Sequence, residues 1–272
     1  MPTPTVLDRQ QKRQQELLRR REELYSGIES PPFPRNLDAV DVADLELAGQ
    51  IQRQFLPRSF QRFGQMEVGS AVLPAGQVCG DIVDVTVFGR QWLSFWLVDA
   101  TGHGLAAAML AAHLQPQLRR VSWDEKRHQP RSPDKALALL NKLLLSRQPS
   151  EPMFVAAVCC LVDLLNGRVT LARGGSPIPM LVKLDGLVEP VLSAGRLVGI
   201  EAGNGFEMVN VDLAAGDALV LWTDGLDRLF DLECSVPAQP GRAGRVNPTA
   251  FDFDAVRDGR VPEALDRLRG RW

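Results

Sequence analysis

Eight short apolar segments follow one another from residue 66 onward, and each is bounded by glycine, aspartate or proline. They cover residues 66–73, 83–88, 92–98, 154–162, 169–172, 179–183, 206–213 and 218–222. Segments of this length, separated by turn-forming residues, are typical of β-strands, and the short intervals between them favour antiparallel pairing. The sequence therefore predicts a core built largely from antiparallel sheet.

Two helical segments interrupt this series of strands. Residues 104–119 are rich in alanine, and residues 133–146 carry leucines at helical spacing. The alanines of the first segment predict a helix face that packs closely against a sheet. Because the helices are grouped between runs of strands and do not alternate with single strands, the predicted fold class is α+β.

The N-terminal segment has a different composition. Residues 8–24 are charged and rich in helix formers, which predicts an exposed helix, and the three prolines of residues 30–35 predict a linker. A second helix is expected over residues 38–55, with Val42, Leu45, Ala48, Ile51 and Phe55 on one face. This helix either packs on its own domain or joins an upstream segment to it as a dimerisation or signalling helix.

The predicted domain organisation follows from these boundaries. Residues 1–36 form the charged helix and its proline-rich linker, residues 37–58 the connecting helix, and residues 59–230 the main domain. Residues 231–272 are rich in proline, glycine and arginine, which predicts an irregular tail with a short helix near its end.

Composition excludes several classes of protein. The net charge is −2 and the pI is about 6.0, so no overall positive field favours nucleic acid or an anionic membrane as a partner. Four irregularly spaced cysteines do not form a disulfide framework or a zinc motif. The N-terminus lacks an apolar signal segment and no stretch of about 18 apolar residues occurs. These features together predict a cytoplasmic protein.

Four aspartates stand near predicted strand ends: Asp81, Asp84, Asp99 and Asp224. Carboxylate oxygens are the ligands that hard divalent cations prefer, and a pair of such cations can activate water for hydrolysis of a phosphate ester. The same residues also occur in ordinary contexts, because Asp-Gly is a common turn and Asp can cap a helix. Taken singly, these aspartates leave both interpretations open.

Taken together, seven segments resemble the SpoIIE/RsbU-type branch of the PPM phosphatases. The most specific are the G-D-x-x-D, D-x-x-G-H-G and T-D-G-L blocks, and the resemblance extends from about residue 45 to residue 230. The seven segments, in chain order, are residues 51–57, 74–84, 98–110, 153–163, 174–179, 197–200 and 215–226.

This resemblance implies two packed antiparallel β-sheets flanked by α-helices, an αββα sandwich with a metal site at one edge. It implies a serine/threonine protein phosphatase that uses two Mn²⁺ or Mg²⁺ ions. By analogy Asp81 binds one metal, Asp99 bridges both, Ala100 offers its backbone carbonyl through water, and Asp224 completes the second site. These three aspartates are accordingly the predicted catalytic residues.

Further residues are expected around these ligands. Asp84 is expected on the same strand face as Asp81, in a supporting position behind the ligands. Gly102 and Gly104 are expected to let the loop turn tightly beside the ions, and His103 of the same loop is a candidate for contact with phosphate. Cys79 is either a redox-sensitive thiol or, more simply, a small buried one.

The chain departs from the family pattern at four places. Cys79 replaces one of two glycines, Gly174-Gly175-Ser176-Pro177 replaces A-G-H-P, and Arg228 stands where the family commonly has glutamate. The changes at residues 174–177 and at Arg228 are expected to concern substrate handling more than metal binding. The closing D-D-x-T strand has no counterpart after Phe230, so one metal site lacks an expected ligand, unless another carboxylate substitutes or the chain is a shortened form.

Two functions from different classes follow from these observations. The first is hydrolysis of phosphoserine or phosphothreonine on a regulatory protein, such as an anti-sigma-factor antagonist, in bacterial partner-switching signalling. The alternative is a catalytically weak or inactive phosphatase-fold module that binds a signalling partner. Homodimerisation through the N-terminal helices is compatible with both functions.

Overall fold

The computed structural model describes residues 42–146, 153–203 and 205–226. It contains three α-helices in these ranges: α1 (Val42–Phe55), α2 (Leu105–Ser122) and α3 (Pro133–Ser146). The strands are β1 (Phe60–Phe63), β2 (Met66–Gly69), β3 (Asp81–Phe88), β4 (Trp92–Ala100), β5 (Trp123–Asp124), β6 (Gln129–Pro130), β7 (Val155–Asp163), β8 (Arg168–Gly174), β9 (Met180–Val182), β10 (Val188–Pro190), β11 (Met208–Asp212) and β12 (Ala218–Val220).

The main sheet has five strands in the order β11-β8-β7-β4-β3, and every neighbouring pair is antiparallel. A three-stranded sheet, β10-β9-β12, is antiparallel as well. Two hairpins, β1-β2 and β5-β6, complete the strands. The predicted antiparallel sheet structure is confirmed.

Helices α2 and α3 cover one face of the main sheet. Their apolar residues form a buried cluster with inward-facing residues of β3, β4, β7 and β8, with Trp96 at its centre. Ala107 and Ala111 of α2 are almost fully buried in this cluster, as the alanine-rich pattern predicts, while Ala106 and Ala112 are exposed. Small side chains at the contact allow α2 to lie close to the sheet.

The opposite face of the main sheet carries a second apolar cluster. Val83, Leu97, Val158 and Leu171 of the main sheet pack there with residues of the small sheet such as Leu181. Because both faces of the main sheet are buried, successive residues of each strand point alternately into the helix-covered cluster and into the cluster between the sheets. The predicted α+β class, with packed antiparallel sheets and helices on the outside, is confirmed.

Helix α1 packs on the domain through a face that only partly overlaps the predicted one. Leu45 and Ala48 are half-buried as predicted, whereas Val42, Ile51 and Phe55 are 62%, 47% and 52% exposed, so the prediction is wrong for these three. The contact is made by buried Gly49, where a Cβ atom would lie 2.0 Å from the Gln77 carbonyl oxygen, and by Gln52, which bonds to the domain.

Strand ends differ from the predictions at the residues that matter most for function. β3 begins at Asp81 and β4 extends to Ala100, so Asp81 and Asp99 lie inside strands and not in the loops beside them. The predicted N-terminal helix and linker, residues 1–36, and the tail, residues 231–272, lie outside the described residues. Across the described ranges, no helix has the length and apolar character needed to cross a membrane.

Candidate metal centre

The antiparallel register of β3 and β4 places two aspartates side by side. Asp81 is the direct cross-strand partner of Asp99, and Asp99 is in turn paired with Ala156 of β7. Directly opposed residues in an antiparallel pair have their side chains on the same face, a few ångströms apart. Like charges in such a position repel each other, so this pair is unfavourable unless another group compensates the charge.

Asp81 and Asp99 lie on the face of the main sheet that meets the small sheet. Side chains alternate along a strand, and Val83 and Leu97, two residues away from them, belong to the cluster between the sheets. Both aspartates thus stand at the end of that inter-sheet core. The described structure places them at the edge of the two packed sheets, where the metal site was expected.

Asp84 does not share this face, and its predicted placement on the face of Asp81 is wrong. Residues 81 and 84 differ by three positions, and the strand period of two puts them on opposite sides of the sheet. Asp84 accepts a hydrogen bond from Thr86 at 2.9 Å. Burial raises the pKa of Asp84, and this hydrogen bond and the charge of Arg119 of α2 oppose the shift only in part. Asp84 therefore lies toward the helical layer.

The third aspartate comes from the segment that follows the small sheet. Asp224 begins a short helical turn after β12, and the amide of Leu226 donates to the carbonyl of Thr223 at 3.1 Å. The Thr223 hydroxyl donates to Asp81 Oδ2, also at 3.1 Å. This bond attaches the T-D-G-L segment to the start of β3 and brings Asp224 to the aspartate pair.

The three carboxyl groups influence one another strongly. Burial and the neighbouring charges of Asp81 and Asp224 raise the pKa of Asp99 to about 7, and hydrogen bonds among the carboxyl groups add to the shift. Burial also raises the pKa of Asp81, and Asp224 contributes in the same direction, against the hydrogen bonds from Thr223 and Asp99. Burial is the larger cause and the neighbouring carboxylates the smaller one, and a bound cation would favour the ionised form against both.

The donor set fits a hard divalent cation. All three side chains offer carboxylate oxygens, which suit Mg²⁺ or Mn²⁺ and not the softer metals that select thiolate or imidazole. Within the described ranges, however, no three His, Cys, Asp or Glu side chains are already arranged around a common point for a metal ion. The three carboxylates fit such an ion by their chemistry and by their charge.

The backbone at Ala100 approaches β3 very closely. The Ala100 amide donates to the Gly80 carbonyl at 3.3 Å, and a Cβ atom added at Gly80 would lie 3.0 Å from the Ala100 carbonyl oxygen. The same atom would lie 3.1 Å from Cβ of Ala107. Glycine at position 80 therefore favours the close contact of β3, β4 and α2 beside the aspartates.

The loop between β4 and α2 has the predicted tight turns. Gly102 and Gly104 have φ values of 92° and 72°, a region that other residues rarely adopt. Thr101 fixes the same loop, because its hydroxyl donates to the Phe154 carbonyl at 2.5 Å and accepts from the Phe154 amide at 3.3 Å. His103 is exposed at the loop surface, and its contact with phosphate stays a prediction.

Cys79 has the environment of an unreactive thiol. Burial and the nearby charge of Asp81 raise its pKa to about 11, so the protonated form dominates at neutral pH. The Asp81 amide lies 3.3 Å from Cys79 Sγ, which accepts its hydrogen bond. The structure favours the simple buried thiol over the redox-sensitive one.

The Gly174-Gly175-Ser176-Pro177 block serves packing. A Cβ atom at Gly174 would lie 2.7 Å from Val198 Cγ2, and one at Gly175 would lie 2.5 Å from Leu197 Cδ2. The two glycines thus allow residues 195–198 to run against the end of β8. This finding gives the block a structural reason, whereas the sequence indicated only a departure in substrate handling.

Helix α1 contacts the site region through a side chain that the sequence did not single out. The Gln52 amide nitrogen donates to the Cys79 carbonyl at 2.5 Å, and the Cys79 amide donates to Gln52 Oε1 at 2.9 Å. Cys79 stands two residues before Asp81. The I-Q-R-Q-F-L-P segment contains this glutamine, but only the fold shows that it bonds to the backbone just before β3, which begins at Asp81.

Some predicted features of the site lie outside the described residues. These are Asp227, Arg228 and the three tail aspartates whose sequence context does not match the closing strand of the family, Asp252, Asp254 and Asp258. The candidate site, as described, therefore consists of Asp81, Asp99 and Asp224 with the backbone at Ala100.

Comparison with known sequences identifies relatives over most of the main domain. The family described as Stage II sporulation protein E (SpoIIE) matches residues 90–243, more than half of the 272-residue chain. Protein IcfG of Synechocystis sp. is 23% identical over 210 residues, covering 70% of this chain and 33% of its own length. Phosphoserine phosphatase RsbP of Bacillus subtilis is 24% identical over 207 residues, covering 72% of this chain and 50% of its own length.

The chain thus spans a third to a half of the length of these curated relatives. Among solved structures, the SiaA-PP2C domain of Pseudomonas aeruginosa superposes with a TM-score of 0.61 at 19% identity, covering 84% of this chain and 87% of that domain. This likeness shows that the two share a fold.

Proposed function

Because this chain belongs to the SpoIIE family of PPM-type metal-dependent serine/threonine phosphatases, we propose that it hydrolyses phosphoserine or phosphothreonine on a regulatory protein. The observation that carries the proposal is that the side chains of Asp81, Asp99 and Asp224 lie close together. Burial and the charges of Asp81 and Asp224 raise the pKa of Asp99 to about 7. A relative named as a phosphoserine phosphatase supports the same substrate class.

Asp81, Asp99 and Asp224 would hold the metal ions, with the Ala100 carbonyl as a ligand through water. Two Mn²⁺ or Mg²⁺ ions, when bound, supply the Lewis acidity that activates water and neutralises charge on the phosphoryl group. Hydrolysis would replace the phosphorus–oxygen bond to serine or threonine by a bond to the oxygen of water, and a proton of that water would pass to the leaving oxygen.

The chain's own residues orient this chemistry. Asp81 and Asp99 are fixed by the strand pair that carries them, and Thr101 holds the following loop against the start of β7. Asp224 is exposed, so a phosphorylated side chain can approach it from solvent. A partly buried pair beside an exposed third carboxylate suits a protein substrate, which cannot enter a deep pocket.

The proposal is tested by hydrolysis of p-nitrophenyl phosphate in Mn²⁺ by the full chain and by its Asp99→Asn variant. Loss of a bridging ligand should reduce turnover by more than about 100-fold, since even residues behind metal ligands typically account for 10- to 100-fold. The control is Asp212→Asn, an exposed aspartate at the end of β11 whose partner is Arg168. Full activity of Asp99→Asn would refute the assigned role.

The regulatory substrate belongs to the same proposal. Family resemblance suggests a small phosphorylated regulator, such as an anti-sigma-factor antagonist, in partner-switching signalling. Dephosphorylation of a phosphorylated antagonist, followed by its change in gel mobility, tests this substrate directly. Hydrolysis of p-nitrophenyl phosphate without any action on such antagonists would support the phosphatase activity and refute this class of substrate.

A second candidate function rests on one specific observation. Arg228 stands where the family commonly has glutamate. A phosphatase fold that binds a signalling partner without turnover could carry such a departure. Calorimetric titration with Mn²⁺ separates the two functions, because absence of Mn²⁺ binding together with tight binding of the antagonist would favour the binding module.

A further inference from the structure

Thr223 connects two parts of the site that are far apart in the sequence. Its hydroxyl donates to Asp81 Oδ2 at 3.1 Å, across a separation of 142 residues. The bond is partly buried, at the point where the segment after the small sheet meets the first residue of β3. Thr223 belongs to the T-D-G-L block, but only Asp224 of that block was assigned a role from the sequence.

The position of this hydrogen bond affects what Asp81 can bind. A carboxylate has two oxygens, and a donor on Oδ2 restrains rotation of the group and leaves Oδ1 directed elsewhere. Side chains that hydrogen-bond to metal-ligating carboxylates commonly fix the orientation of the ligand and strengthen metal binding.

The same residue also sets the position of Asp224. The Thr223 carbonyl accepts from the Leu226 amide at 3.1 Å and so closes the turn in which Asp224 stands. The side chain of Thr223 thus holds β3, and its backbone holds the turn. One residue ties the ligand of one predicted metal to the ligand of the other.

We propose that Thr223 is a positioning residue of the metal centre: its hydroxyl orients the Asp81 carboxylate for a divalent cation, and its backbone carbonyl closes the turn that carries Asp224. This inference rests on the proposed function. It assigns to Thr223 no contact with substrate.

Two substitutions separate the hydroxyl from the rest of the side chain. Thr223→Val keeps the branched shape and removes the donor, and Thr223→Ser keeps the donor and removes a methyl group. Thr170→Val is the matched control, because the Thr170 hydroxyl also bonds to a side chain, Asn210 Oδ1 at 2.9 Å, but does so between β8 and β11.

The experiment is calorimetric titration of the full-length variants with Mn²⁺, together with thermal unfolding in EDTA. We expect Thr223→Val to bind Mn²⁺ about 10-fold or more weakly, as for other partners of metal ligands. Thr223→Ser and Thr170→Val should bind within about twofold of the wild type. In kinetics, Thr223→Val should need more Mn²⁺ for half-maximal turnover while its KM for p-nitrophenyl phosphate at saturating Mn²⁺ stays unchanged.

Wild-type affinity for Mn²⁺ in Thr223→Val would overturn the inference and leave the proposed function intact. Absence of Mn²⁺ binding by the wild type would instead refute the proposed function, and this inference with it. If Thr223→Val does not fold, Thr223→Ala is titrated in its place. Failure of both variants to fold in EDTA would also overturn the inference, because Thr223 would then serve stability and not metal binding.

Discussion

At the scale of single residues, the site brings together three carboxyl groups whose mutual repulsion is unfavourable without a bound cation. Asp81 and Asp99 form a direct cross-strand pair of like charge, and Asp224 adds a third carboxylate. Burial raises the pKa of Asp81 and raises that of Asp99 to about 7, so Asp99 in the folded protein without metal is partly protonated at neutral pH, whereas in the unfolded chain it is ionised. A site that is electrostatically strained without a cation is typical of one that functions with a cation bound.

The close approach at Gly80 gives a prediction at this scale. Gly80→Ala places a methyl group against the Ala100 carbonyl and Ala107, and relief of this overlap must move β4 or α2. We expect a loss of about 1–3 kcal/mol in the free energy of unfolding, the usual range for overpacking. Equilibrium unfolding in urea measures the change.

The matched control is Gly76→Ala, since a Cβ at exposed Gly76 would come no closer than 3.9 Å to its nearest neighbour, the carbonyl oxygen of Val78. This substitution should be nearly neutral. Equal stability of the two variants would show that the contact at Gly80 is looser than described.

The sequence singled out three aspartates that lie together in the structure, but not the residues around them. Asp81, Asp99 and Asp224 stand in recognisable blocks, and their role as metal ligands stays a prediction. Asp84 was placed on the wrong face, although the strand period of two, applied to residues 81 and 84, would have separated them. The bond between Thr223 and Asp81 joins residues 142 positions apart, and no local pattern contains such information.

At the scale of secondary-structure elements, the helices and strands were predicted well where periodicity dominates. Helix α3 matches its prediction of residues 133–146. β3 and β4 are longer than predicted, because each strand includes an aspartate, Asp81 or Asp99, that was expected just outside it. Helix α1 was predicted, but its packing face only in part, because Gly49 and Gln52 contact the domain while Ile51 and Phe55 are exposed.

The two hydrogen bonds between Gln52 and Cys79 give a prediction at this scale. Gln52→Leu removes both partners of the Cys79 backbone in a partly buried position, and unpaired groups of this kind cost about 1–3 kcal/mol. We expect a lower melting temperature and weaker Mn²⁺ binding, because the start of β3 loses its support. Thermal unfolding and calorimetry measure the two effects.

Gln54→Leu is the control for this prediction, as Gln54 lies exposed in the same helix. It adds the same apolar side chain without removing a bond to Cys79. If Gln52→Leu and Gln54→Leu behaved alike in both measurements, helix α1 would have no influence on the metal centre.

At the scale of the whole molecule, the two apolar clusters on opposite faces of the main sheet hold the ends of its strands in a fixed relation. The turn after β12 of the small sheet places Asp224 near the end of the main sheet that carries Asp81 and Asp99. This arrangement depends on contacts between distant segments, which is why the family resemblance, and not periodicity, predicted it from the sequence.

The segment before the main domain gives the prediction that concerns assembly. We propose that residues 1–36 contribute to a homodimer, and their deletion should then lower the mass in solution while Mn²⁺ binding stays unchanged. Light scattering coupled to size-exclusion chromatography determines the mass. An unchanged mass, with unchanged regulation of activity, would contradict this role.

The most direct test of the central claim is phosphate release from a phosphoserine peptide by the full-length chain, first in EDTA and then after addition of excess Mn²⁺. The account predicts no release in EDTA, release once Mn²⁺ is added, and none under either condition from Asp99→Asn. Release that is indifferent to EDTA, or equal in the wild type and the variant, would contradict a phosphatase that works through these aspartates and a bound metal.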